Sequence, residues 1–208
     1  MTDQEPAAPD LAEVQRAYGR WTAAYVDLFD GAEKASAEDR AVIAGWAAGV
    51  RGRVLDAGCG PGHWSAFLRD RGVQVEGVDA TEAFVAHAAR AHPGVPFRQG
   101  DLRMLELPPA SLGGVLAWFS LIHLDPAEVP AVLSRFADAL VPGGALLIGF
   151  FAGPSLRTFD HRVVTAWAWP PEQLADAVRA AGFDALRTAS RTQPNGRVVA
   201  ELTARRTG

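Results

Sequence analysis

The 208-residue sequence holds one cysteine, Cys59, and one lysine, Lys34. A single thiol excludes an internal disulfide, and with only scattered histidines beside it there is no ligand set for a zinc cluster, so no metal is expected. No apolar run approaches the ~18 to 20 residues that a membrane-crossing helix needs. The first ten residues are polar and acidic instead of basic followed by apolar, so no secretory leader is expected and the protein is read as cytoplasmic, without a membrane partner. Clustered basic residues are also lacking. The net charge is −4 and nearly all the positive charge is arginine, which gives no electrostatic footprint for nucleic acid.

What is present is ample material for one core, because 49% of the residues are apolar in a chain of ordinary single-domain length. A loose tail is expected over residues 1–10 and a single domain over 11–208, with a helical N-terminal cap over 11–50. In that cap, Leu11, Val14, Ala17, Tyr18, Trp21, Tyr25 and Leu28 recur at intervals of three and four, which describes one apolar stripe on a helix ended by Gly31. A second helix is expected from the capping residue Ser36 to about Gly49, with Glu38 and Asp39 in its first turn, where the helix dipole favours anions.

From there, short apolar runs alternate with helical patterns. Strands are expected over 53–57, 73–78, 96–99, 115–120 and 145–151, and helices over 63–71, 82–91 and from Pro126 to the Pro142-Gly143-Gly144 turn. Pro170-Pro171 opens a last helix closed by Gly182, and strands over 183–192 and 197–203 meet at Asn195-Gly196, a strong hairpin signal. The alternation predicts an α/β protein. Its sheet would be Rossmann-like, doubly wound and seven-stranded, mostly parallel with one antiparallel strand in a C-terminal hairpin. Ligands of such sheets bind beyond the carboxyl ends of the strands, where the winding reverses.

The loop Gly58-Cys59-Gly60-Pro61-Gly62 stands at that point, between a buried strand and a helix. Glycines there let the backbone turn sharply and lie against a ligand, although a tight turn alone requires the same residues. A dinucleotide fingerprint would put a third glycine where His63 stands, so that pattern fails. Asp79, at the end of the second strand about twenty residues on, suits the hydroxyls of a ribose in either a nicotinamide or an S-adenosylmethionine enzyme. Asp56 discriminates between them. A carboxylate beside the loop repels a pyrophosphate but suits the ammonium and nearby sulfonium of S-adenosylmethionine.

In these residues the chain resembles the class I S-adenosylmethionine-dependent methyltransferase family. Val54 to Gly62 is similar to its first motif, Val75 to Thr81 to its second and Gln99-Gly100-Asp101-Leu102 to its third; Ala117 to Leu124 and Leu140 to Gly144 are similar to its fourth and fifth. The resemblance implies S-adenosylmethionine as cofactor and S-adenosylhomocysteine as product. It further implies that Gly58, Cys59 and Gly60 flank the methionine moiety with Asp56, that Asp79 binds the ribose and that Ala80 lies beside the adenine. Asp101 and the Leu102 amide would read the adenine edge, although Asp101 also suits a simple turn after the third strand. Phe119, in the fourth motif, and Tyr25, on the N-terminal helix, would complete the cofactor site, with Tyr18 an alternative to Tyr25. One departure is Gly113-Gly114, where many members open the fourth strand with an acid.

Methyl transfer is an in-line displacement at an activated carbon, so alignment and exclusion of water are the main tasks, and a base matters only for a hydroxyl or a protonated amine. His123, after the fourth strand, is the first candidate base, and His161 a weaker one that could instead line the acceptor pocket or sit in an exposed loop. Trp21, Phe151, Phe159 and Trp167 would wall a pocket for a small hydrophobic or aromatic acceptor, or pack in the core. The expected activity is therefore transfer of a methyl group to oxygen or nitrogen of a small molecule. A non-catalytic binding module and a nicotinamide-dependent oxidoreductase are the competing readings, and monomer and homodimer are both open.

Overall fold

The structure is a computed structural model that describes residues 10, 12–20, 31–161 and 163–208. Residues 1–9 of the tail expected over 1–10, together with Trp21 and Tyr25, lie outside the described residues. Helix α1 covers 12–20, and a 3-10 turn at Ala32–Lys34 leads to α2 (Ala37–Ala48), capped as its sequence predicts by Ser36 Oγ accepting from the Asp39 amide at 3.0 Å. The alternation follows: β1 (Val54–Ala57), α3 (His63–Arg69), β2 (Val75–Asp79), α4 (Glu82–Ala91), β3 (Phe97–Gln99), β4 (Leu112–Trp118), α5 (Val129–Ala139) and β5 (Leu140–Ala152). The chain closes with β6 (Arg157–Phe159), β7 (Ala166–Trp169), α6 (Pro171–Ala180), β8 (Phe183–Thr192) and β9 (Val198–Arg206).

Seven of these strands form the sheet that the alternation predicts. The order is β3-β2-β1-β4-β5, parallel throughout, continued by β9 antiparallel to β5 and then by β8 antiparallel to β9. The winding reverses between β1 and β4, so the glycine loop after β1 opens at the switch point. The strand count is corrected upward, to nine among the described residues. The extra pair is an antiparallel β6–β7 hairpin, and β7 pairs with β5 at Phe151 and Ala152, beyond Gly149, the last β5 residue paired with β4. The alternating run Ala166-Trp167-Ala168-Trp169 is therefore a strand, and the connection after β5 is built into the sheet's carboxyl edge.

Side chains alternate across the strands into two core layers. Leu146, Ile148 and Phe150 of β5 face the layer of Val132, Leu133 and Phe136 on α5 and Leu174 and Val178 on α6. Ala145 and Leu147 face Ile43 and Trp46 on α2 and Trp64, Phe67 and Leu68 on α3. Burying each large aliphatic or aromatic side chain contributes about 1.5 to 3 kcal/mol relative to exposure. Where an acid was expected to open the fourth strand, Gly113 is a packing requirement: a Cβ there would stand 1.6 Å from the Arg51 carbonyl oxygen. The amides of Gly113 and Gly114 both donate to Arg53 O, which locks β4 against the entry to β1.

Candidate cofactor and acceptor site

The loop after β1 is fixed by its own amides. Gly58 and Cys59 both donate to Val78 O, at 2.7 and 2.9 Å, and Gly62 donates to Cys59 O at 3.0 Å. Gly60 donates to Asp79 Oδ2 at 2.9 Å. Pro61 has no amide hydrogen, so no N–H of residues 58–62 is left to cradle a pyrophosphate. Gly58, at φ +79°, could carry no side chain, because its Cβ would stand 2.2 Å from Ser120 Cβ. Around Gly60 the reverse holds, with no atom of the described residues within 4 Å of where a Cβ would be. The loop is thus wedged against β4 at one end and faces open space at the other.

Two acids flank it. Asp56 is buried and accepts from Ser65 Oγ at 2.6 Å. Burial foremost, and then the charge of Asp79, push its pKa up to about 7, with the Ser65 hydrogen bonds opposing. Asp79 is half-buried, and its carboxylate accepts from the Gly60 and Thr81 amides; burial raises its pKa, and these bonds oppose the rise. Cys59 packs underneath with a buried thiol, which desolvation holds protonated. The open face at Gly60, the paired acids and the engaged loop amides suit a group presenting a cation and a ribose better than one presenting a pyrophosphate.

Ala80 is joined to both sides of the site by its carbonyl, which accepts from Gln15 Nε2 at 2.8 Å and from Gln99 Nε2 at 3.0 Å. Gln15 brings α1 onto the end of β2, a contact between residues 65 apart that no local pattern announces. The Asp101 carboxylate is taken by Arg103, whose Nε lies 3.0 Å from both oxygens, and Arg103 also reaches Glu128. Leu102 beside it is buried.

At the end of β4 the chain turns through Phe119, a non-glycine residue at φ +53°. That conformation costs an L-residue on the order of 1 to 3 kcal/mol and is found where the surroundings demand it. The buried Ser120 Oγ has no hydrogen-bond partner among the described residues. His123, also buried, is held on both nitrogens: Nδ1 lies 2.9 Å from Thr165 O and Nε2 lies 2.8 Å from the Tyr18 hydroxyl. The carbonyl can only accept, so Nδ1 carries the proton and Tyr18 donates to Nε2. Burial lowers the His123 pKa to about 4, which leaves the ring neutral near pH 7.

The His161 ring lies 5.4 Å from that of His123, and its pKa is likewise lowered to about 4, first by burial and then by the charges of His123 and Arg197. Aromatic rings run outward without a break: Phe119 to Phe151 at 5.1 Å between centroids, and Phe151 to Phe159 at 5.0 Å. Trp167 is partly buried against the α5–α6 core layer. Next to His161 and Thr165 lies an open cavity of about 580 Å³, bounded by α1, the segment joining β6 to β7 and Arg197. The structure therefore brings together Asp56, Gly58, Gly60, Asp79 and Ala80, and joins His123, His161, Phe119, Phe151 and Phe159 in one cluster. Gln15, Thr165 and Arg197 were not singled out by sequence reasoning; Arg197 carries a signal only in hindsight, as the basic residue closing the Asn195-Gly196 turn. Among the described residues, no group of three or more metal-ligating side chains could hold an ion, and no helix is long and apolar enough to cross a membrane.

A family model described as "Methyltransferase domain" matches residues 54–144. A Mycobacterium bovis protein named an uncharacterized methyltransferase is 30% identical over 146 residues, covering 61% of this chain and 73% of that protein. A Mycolicibacterium smegmatis protein named a probable S-adenosylmethionine-dependent methyltransferase is 34% identical over 164 residues, covering 74% of this chain. The chain spans 60% of that relative's length. Among solved structures, the Burkholderia thailandensis 1,6-didemethyltoxoflavin-N1-methyltransferase, bound to 1,6-didemethyltoxoflavin and S-adenosylhomocysteine, is 25% identical with a TM-score of 0.73, covering 98% of this chain and 94% of that one. The [4+2]-cyclase SpnF shares the fold at a TM-score of 0.80 and 20% identity, covering 98% of each chain. The chain belongs to the class I S-adenosylmethionine-dependent methyltransferase family, and its cofactor is S-adenosylmethionine.

Proposed function

We propose that the protein transfers the methyl group of S-adenosylmethionine to an oxygen or nitrogen of a small acceptor, within one domain over 11–208 that the N-terminal segment caps. When bound, the cofactor supplies a methyl carbon activated by its sulfonium. Asp79 takes the ribose hydroxyls, Asp56 faces the methionine ammonium beside Gly58, Cys59 and Gly60, and Ala80, Asp101 and Leu102 border the adenine. Phe119, turned out of the strand at positive φ, guards the transfer point against water, and Phe151 and Phe159 continue that wall toward an apolar part of the acceptor. Phe159 and Trp167 bound the acceptor side, and α1, tied down through Gln15, closes the near side.

His123 is the base. Its neutral ring, held by Thr165, can receive through the Tyr18 hydroxyl the proton that a hydroxyl or ammonium acceptor gives up. His161 lines the acceptor side. The observation that carries the reading is the glycine loop with its amides engaged and an acid on each flank, which suits a cationic cofactor. It disfavours the nicotinamide alternative. Calorimetry tests it: S-adenosylmethionine and S-adenosylhomocysteine should bind and NADH should not. Asp79→Ala should weaken binding about 10- to 100-fold, the loss of hydrogen bonds to a charged group. No binding of either sulfur compound would overturn the reading.

A second reading has the cyclase likeness behind it, because a fold does not dictate its chemistry. Cofactor binding without methyl transfer to any of a broad acceptor panel would favour that one.

A further inference from the structure

We propose that the acceptor carries a carboxylate and that Arg197 binds it, with Arg20 at the rim, in the cavity between α1 and the segment joining β6 to β7. The proposal rests on the methyl-transfer reading and adds a substrate class to it. The cavity, about 580 Å³ and open to the outside, adjoins His123 through two of its wall residues, His161 and Thr165. His161 on its wall lies 5.4 Å from the His123 ring, and Thr165, also on its wall, holds His123 Nδ1. An acceptor presenting its reacting atom to Tyr18 and His123 therefore extends its other end into this space.

Arg197 is set in place before any ligand arrives. Its amide donates to Asn195 Oδ1 at 3.0 Å and its carbonyl accepts from the Gln193 amide at 2.7 Å, so the hairpin turn fixes its backbone. Its guanidinium lies 5.0 Å over the Phe159 ring and donates one N–H to the Asp160 main-chain carbonyl at 3.0 Å. Among the described residues no carboxylate pairs with it, so the remaining fork of donors is available for a planar anion, the geometry for which arginine is suited. Arg20, across the cavity on α1, is exposed.

Two acids also border the cavity, Glu13 and Asp160, and both are exposed. Asp160 engages Arg197 through its main chain and not its carboxylate. At His161, deeper in, the positive charge of Arg197 is felt and neither acid offsets it. Arg197 is therefore a cation beside the Phe159 ring on the cavity wall, and a carboxylate acceptor would gain an ion pair there that a neutral one lacks.

The test compares 4-hydroxybenzoate with 4-hydroxybenzamide, of equal size and shape, by titration into the protein saturated with S-adenosylhomocysteine. The carboxylate should bind at least tenfold more tightly. Arg197→Ala should bring the two within about twofold, and Arg197→Lys should restore part of the preference, since it keeps the charge and loses the fork. All three proteins should bind S-adenosylhomocysteine equally and melt at similar temperatures. Equal binding of the two compounds, failure of the carboxylate to bind at millimolar concentration, or a preference that survives Arg197→Ala overturns the proposal alone. Failure of the wild-type protein to bind S-adenosylhomocysteine overturns the cofactor reading, and this proposal with it.

Discussion

The Tyr18 hydroxyl donates to His123 Nε2 at 2.8 Å, joining the N-terminal helix to the end of β4 across 105 residues of sequence. Thr165 O fixes the opposite nitrogen, so the imidazole has one tautomer and a lone pair aimed at Tyr18.

If that lone pair takes the acceptor's proton, Tyr18→Phe should lower kcat by about 100- to 10,000-fold on a hydroxyl acceptor. The buried nitrogen it leaves unpaired should cost about 1 to 3 kcal/mol of stability. With the His123 pKa near 4, the wild-type rate should show no histidine limb between pH 5.5 and 8. A pH–rate profile falling through pH 6.5, near the ordinary histidine value, would mean that the working base is a solvated histidine elsewhere.

Gly58→Ala should be among the most damaging single substitutions in the site. The new methyl meets Ser120 Cβ at 2.2 Å, and the backbone at φ +79° disfavours any side chain. Overpacking and the left-handed conformation each cost about 1 to 3 kcal/mol, so a loss of roughly 2 to 6 kcal/mol is expected. Adding Ser120→Gly should recover only the steric part, which denaturant titration of the single and double variants can separate. Full recovery would mean that backbone strain at Gly58 is negligible.

The strand–helix alternation was readable because β1, β2 and β4 are short, largely buried runs, and α4 and β8 fall at the expected boundaries. The β6–β7 hairpin was missed because its strands cover only Arg157–Phe159 and Ala166–Trp169, and their apolar alternation also fits a pocket wall or a core segment. Site residues tied to the glycine loop were readable since the spacing of strand ends brings them together. Gln15, Thr165 and Arg197 were not, because each is placed by tertiary contact: a helix docked on Ala80, a carbonyl at the start of β7, a turn folded against Phe159. The engaged loop amides also needed the structure, since sequence shows which residues can turn but not where their N–H groups point.

The Gln15 contact predicts how the N-terminal helix behaves. Gln15→Ala removes the 2.8 Å bond to Ala80 O, and should cost about 1 kcal/mol while raising amide exchange in 12–20 more than in the sheet. If α1 closes the cofactor site, S-adenosylhomocysteine should dissociate a few times faster from the variant. An unchanged dissociation rate beside faster exchange in α1 would separate the helix from cofactor retention.

If the cofactor's ammonium meets Asp56, its binding is sensitive to pH. The Asp56 pKa of about 7 stands well above the ~3.9 of an unfolded aspartate, so between those values the native state holds a proton that the unfolded state does not. This group therefore lowers stability as pH rises from about 4 to 7 and adds no further change above. The buried His123 and His161, with pKa near 4, act in the opposite direction over about pH 4 to 6.5, so the comparison to make is with Asp56→Asn. The variant should gain on the wild type as pH rises to 7 and keep a constant margin beyond. An ammonium placed beside Asp56 favours the ionised carboxylate. S-adenosylmethionine affinity should accordingly rise from pH 5 to 7, by at most tenfold per unit, with release of close to one proton at pH 6. Calorimetry in two buffers of different ionisation enthalpy measures that proton directly, and Asp56→Asn should abolish both the release and the pH slope. If the affinity is flat from pH 5 to 7 in the wild type, the ammonium does not meet Asp56, and the cofactor's cationic end lies elsewhere along the open face at Gly60.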